Sequence, residues 1–232
     1  MRKIVIILSI LVLIASGCGQ TTKKRAETNS IEIISEQEEY GNNLVENKKD
    51  NFRQIELDEK IGNRTLKEYL LDENIPQVFK DVFQQKQGLY DNDETFTLID
   101  SLSSTDKERH PFYFVLATRA MWWSDGAFSE PLGMAIRKYV ESNTKQFLAY
   151  FSTEVVLTQF DFQQWAKYTL YEILIDSDEN IAEVENTRNL MRKNCKQCSS
   201  EKIVMIDKFI ECVYAEYEEI QRSNKEWEKN NL

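Results

Sequence analysis

The sequence predicts an all-α protein, built either as an irregular multi-helix bundle or as stacked antiparallel helix pairs. Three observations predict it. The 232 residues include only 7 glycines and 3 prolines, and sheet proteins consume both in their many turns. Apolar residues recur at steps of three and four along most of the chain. Strict apolar–polar alternation, the mark of a half-buried strand, is nearly absent.

The helical pattern begins past Gly62. Thr65 and Glu68 have the spacing of a capping box ahead of Tyr69-Leu70-Leu71. Asn74 to Pro76 form a helix opening, followed by Val78, Phe79, Val82 and Phe83 at helical spacing. Phe96, Ile99 and Leu102 predict a short third helix. Pro111 loses no needed donor in a first turn, so it can start a helix running to Trp123. Leu132, Ala135, Ile136, Tyr139 and Val140 share the face of the next one, which should begin near Ser129 to Pro131. Phe147, Leu148 and Phe151 mark a short segment. Phe162, Trp165, Ala166, Thr169, Leu170 and Ile173 form a clean stripe, with Asp161 as the expected cap. Ile181, Val184, Arg188 and Met191 outline a more polar helix. The last helix is long, with Ile203, Ile206, Ile210, Val213, Tyr217 and Ile220 on one face. No fixed repeat period is present.

Three segments follow from composition: residues 1–17, 18–60 and a helical domain over 61–232. The second segment is rich in Thr, Lys, Glu, Asn and Gln, with Ile31–Ser35 its only apolar cluster. It lacks the apolar content to offset the entropy of folding and reads as a tether with a root-mean-square span of about 35 Å. The first segment is MRKIVIILSILVLIASGC up to the cysteine. Arg2 and Lys3 give a positive end, Ile4 to Ile14 a short apolar run, and Ala15-Ser16-Gly17 the small residues a peptidase needs before Cys18. The run is too short to span a bilayer comfortably.

This segment resembles a bacterial prolipoprotein signal peptide with its lipobox. The resemblance covers residues 1–18 alone. It implies cleavage between Gly17 and Cys18, a diacylglycerol on the Cys18 sulfur, and often an acyl chain such as palmitate on the new terminus. Several acyl chains anchor firmly, since each buried CH₂ contributes about 0.8 kcal/mol. Ala15 stands where that family usually has leucine. Ala15-Ser16-Gly17 would also suit the ordinary signal peptidase, which would release a soluble protein; the cysteine at the cut favours the lipidated form. The implied location is the cell envelope, lipid-anchored to a bacterial membrane outside the cytoplasm.

The formal charge of −10 argues against a nucleic-acid partner, because phosphate neutralisation needs a basic surface. Lysines and arginines are mixed with acids along the chain and form no basic stripe. Among candidate sites, MWWSDGAFSEP at 121–131 reads as a corner between two helices. There Gly126 would supply a positive φ, and Trp122 and Trp123, splayed by about 100° on a helix, would offer a stacking edge. Asp125 and Glu130 are the acid pair a glycosidase would use. His110, the sole histidine, rules out multi-histidine metal sites and is expected to cap a helix or lie at the surface. Cys195 and Cys198 suit a local disulfide in an oxidising compartment, with Cys212 a buried thiol. The acidic runs at 91–94 and 176–180 fit helix-capping turns; the second puts Ile181 and Thr187 where a calcium loop needs glycine and glutamate.

No cofactor and no metal are expected. The expected function is a helical binding or interaction module with a protein or glycan partner, in a narrower version an acidic inhibitor or immunity lipoprotein masking a basic toxin or hydrolase. The alternative is a carbohydrate-active or other enzyme with a site at Asp125, Glu130 and His110.

Overall fold

Nine helices and one minimal hairpin make up the described parts of the chain. The structure is a computed structural model that describes residues 53–89, 92–124, 126–177 and 180–231. Gly17, Cys18 and Asp125 therefore lie outside the described residues. The compact unit spans Arg53–Leu232, so residues 53–60, which composition groups with the tether, join the body. Ile55 packs against the core there, and the Arg53 guanidinium donates to the Val155 carbonyl at 2.9 Å.

The hairpin pairs β1 (Lys60–Ile61) with β2 (Arg64–Thr65) antiparallel. Gly62 turns it at φ +62°, and a Cβ there would meet Pro111 Cγ at 3.0 Å. Both conditions demand glycine. α1 (Leu66–Leu70) opens on the Thr65–Glu68 capping box, with both reciprocal bonds formed. α2 (Gln77–Phe83) follows Pro76 as N-cap. α3 (Asp93–Ser101) is capped by Asn92, whose side chain accepts from the Thr95 N–H at 2.9 Å. The acidic run at 91–94 thus contains a capping residue.

α4 (His110–Ala120) is buried on every side, from Phe112 to Ala120. It ends at Ala120, so Trp122 and Trp123 sit in a turn rather than on the helix. α5 (Gly126–Ser142) starts earlier than the sequence suggests. Gly126 is its first residue, and Gly62 is the one glycine with positive φ among the described residues. The expected left-handed cap at Gly126 is therefore replaced by a helix start.

α6 (Thr144–Thr153) follows after Asn143 alone. α7 (Gln159–Asp176) is capped by Thr158, not by Asp161. Asp161 is the third residue of a capping box: its Oδ2 accepts from the Thr158 N–H and Oγ1, both at 2.8 Å. α8 (Glu183–Asn194) and α9 (Ser200–Asn231) complete the chain.

Aromatic rings hold α4, α6, α7 and α9 together. Phe114 stacks on Trp165 at 4.7 Å, Phe147 meets Phe209 edge-on at 5.2 Å, and Phe162 meets Phe209 at 5.3 Å. Full burial of one such side chain stabilises by about 2–3 kcal/mol. Trp165 Nε1 donates to Thr118 Oγ1 at 2.9 Å, which donates to the Phe114 carbonyl at 2.8 Å, so the indole N–H and this hydroxyl are both satisfied. A smaller ring cluster joins α1, α2 and α4, where Phe112 stacks on Tyr69 and Phe83.

α8 and α9 are antiparallel, as Arg192–Asp207 and Glu185–Tyr214 contacts show. α5 and α7 instead run parallel, because Gly133 faces Glu172 and Arg137 pairs with Asp176. The intervening α6 returns the chain, and the result is an irregular bundle rather than a simple stack of antiparallel pairs. No helix among the described residues is long and apolar enough to cross a membrane.

Candidate functional site

The corner after α4 is built as a clamp. Trp122 N–H donates to the Arg119 carbonyl at 3.0 Å and Trp123 N–H to the Ala120 carbonyl at 3.3 Å, closing a tight turn. Both indoles are half-buried. Trp122 Nε1 donates to Asp161 Oδ1 at 3.0 Å. One oxygen of Asp161 therefore closes the α7 cap while the other pins Trp122 to it. Trp123 packs against the core, with the Arg119 guanidinium 5.7 Å from its ring centre. Arg119 also lies over the Phe83 ring at 4.7 Å, and burial pushes its pKa down to about 10 against the pull of Asp161.

Hydroxyls continue this corner towards α7. Tyr168 Oη lies 3.1 Å from the Met121 carbonyl, 2.6 Å from it lies Ser124 Oγ, and Ser129 Oγ follows at 2.9 Å. A carbonyl only accepts, so Tyr168 spends its proton there. Ser124 must then donate to Tyr168 and Ser129 to Ser124. The chain of bonds has a single direction and ends on backbone.

Farther along the same seam lies Glu172, 6% exposed, on the α7 face against Gly133. Its carboxylate occupies the space that a side chain at 133 would need: a Cβ there would be 3.1 Å from Glu172 Oε2. Burial raises its pKa, the charges of Asp176 and Glu130 add to that, and Arg137 opposes it. Arg137 is engaged elsewhere, donating to Asp176 at 2.7 Å and Glu141 at 3.1 Å. Glu130 is exposed on α5.

His110 corrects the expectation of a cap or surface residue. It is 2% exposed in the first turn of α4, stacked between the rings of Tyr139 and Tyr150. Nε2 must donate to the Leu102 carbonyl at 3.1 Å, so Nδ1 accepts from Tyr150 Oη at 2.7 Å. Burial lowers its pKa, and the ring is a neutral strut. Its partners are Leu102, Gln146, Tyr139 and Tyr150; Glu130 is not among them.

Cys195 and Cys198 are joined by a disulfide, with Cα atoms 5.1 Å apart. Cys195 is the C-cap of α8 and 1% exposed. A helix C-terminus disfavours a thiolate, which marks this bridge as a staple rather than a redox catalyst. Cys212 is a free thiol, half-buried rather than fully so, and burial pushes its pKa up. Among the described residues no group of three or more His, Cys, Asp or Glu side chains is placed to hold a metal ion.

Glu172 and the Ser124–Ser129–Tyr168 chain are not read from the sequence, and Asp161, expected there as a cap, has in Trp122 a partner that the sequence does not announce. Two signals were there: a T-x-x-D spacing at 158–161, and a glutamate seven residues after Trp165, inside an apolar stripe. No family model matches the chain, and no curated protein or solved structure matches it either.

Proposed function

We propose that the protein is a membrane-anchored extracytoplasmic lipoprotein whose helical body is a binding module for a protein or glycan. The observation that carries this reading is the sequence MRKIVIILSILVLIASGC, which combines basic residues, a short apolar run, small residues and a cysteine in the order that lipid attachment needs. The body contributes the contact surface, with the half-buried edges of Trp122 and Trp123 at its margin. The acidic character of the chain suits a basic partner, as an inhibitor or immunity protein would require.

Pull-down from host membranes with the anchored protein as bait tests the binding role. A partner that is recovered with the intact chain and lost with Trp123→Ala is the expected result. Recovery of the same material with an unrelated lipoprotein, or of none, contradicts it.

A further inference from the structure

Charge is unevenly distributed in this chain. Between Arg188 and Lys208 six basic residues stand against two acidic ones, in a protein of formal charge −10. The fold gathers them at one corner, because α8 and α9 are antiparallel and meet through the Cys195–Cys198 staple. Arg192, Lys193, Lys196 and Lys208 are exposed there. Lys145, in the first turn of α6, joins them: Lys202 Nζ lies 3.4 Å from its carbonyl oxygen. Of the two acids, Asp207 is already held by Arg192 at 2.6 Å and approached by Arg188 at 3.9 Å. Leu190 and Val204, exposed by 38% and 52%, flank the lysines on the same two helices.

We propose that this corner is a membrane-contact face that takes anionic phospholipid headgroups. The Debye length is about 8–10 Å at physiological salt, so acids on the far side of the body do not cancel the local field. Lysine stems cover apolar surface while their ammonium groups reach phosphates, and Leu190 and Val204 supply the apolar component that interfacial contact uses. Each basic residue near an anionic leaflet strengthens binding about fivefold. The remaining acidic surface is repelled by the same leaflet, which orients the body with this corner down. The biological setting rests on the lipoprotein reading: a chain of residues 19–52 holds the body within about 120 Å of the bilayer, where weak contacts gain from effective concentration.

The test uses the 53–232 body, whose core residues all lie between Ile61 and Val213, so its outcome does not depend on acylation of Cys18. Flotation with vesicles of phosphatidylcholine alone is compared with vesicles containing about one-third phosphatidylglycerol. Binding is expected to the anionic vesicles only and to fall steeply with added salt. Lys193→Glu/Lys196→Glu/Lys208→Glu should weaken it at least about tenfold with thermal unfolding unchanged, whereas Lys225→Glu/Lys229→Glu, exposed on α9 elsewhere, should leave it intact. Equal partition into both vesicle types, no binding at low salt, equal loss in the two variants, or full competition by millimolar glycerol phosphate overturns the proposal. Failure to acylate Cys18 in cells would remove the anchor without touching this result.

Discussion

Single residues in this body carry opposed electrostatic duties. Glu172 is a buried carboxylate whose pKa is raised above the ordinary glutamate value of 4.5. Its folded form therefore holds a proton more tightly than the unfolded chain does. Linkage then fixes the sign: stability falls as pH rises through the folded pKa, and the penalty vanishes below the unfolded value. Glu172→Gln keeps the shape, so it should raise Tm by about 2–4 °C near neutral pH, the shift about 1 kcal/mol gives a domain of this size. The gap should close as pH approaches about 4.5; a gap independent of pH contradicts the account. Asp72 has the opposite sign. Bonds from Arg64, then from Asn74 and Arg109, hold its carboxyl well below the usual range. Asp72→Asn should cost about 1–2 kcal/mol above the unfolded pKa and progressively less in acid, measured by urea denaturation at several pH values. The duty of Asp72 is not legible in the sequence, because it meets Arg109 across 37 positions, while that of Glu172 is signalled only by its place on the apolar stripe of α7.

Among the elements, staples and caps decide where helices stop. The Cys195–Cys198 bridge encloses only two residues, so its stabilisation through the unfolded chain is about 2 kcal/mol. Reduction, or replacement of both cysteines by serine, should lower stability by that amount, with faster amide exchange confined to the end of α8 and the start of α9. Global unfolding on reduction would show the corner to matter far more. Helix positions were legible where apolar stripes are long, as in α7 and α9, and where a capping box is spelled locally, as at Thr65–Glu68. Ends were less so. The sequence extends α4 to Trp123 because its apolar run continues, yet the chain turns at Ala120 to let Trp122 reach Asp161. That bond joins residues 39 apart, and no local pattern encodes it.

The molecule as a whole joins two kinds of information. The helical class was readable from glycine and proline scarcity and from period, and the structure bears it out with nine helices among the described residues. Parallel packing of α5 on α7 was not readable, since it depends on how α6 returns the chain. The overall acidity concealed a basic corner for a related reason: summing charge along a sequence averages over faces that folding separates. The central claim, a lipid-anchored helical head, is most directly tested by intact mass of the protein extracted from host membranes. The account predicts a chain that begins at Cys18 and carries diacylglyceryl and acyl mass, with Cys18→Ser remaining unprocessed and unlabelled. A chain retaining Met1 in the soluble fraction, or one cut at the same place without added lipid mass, would contradict it.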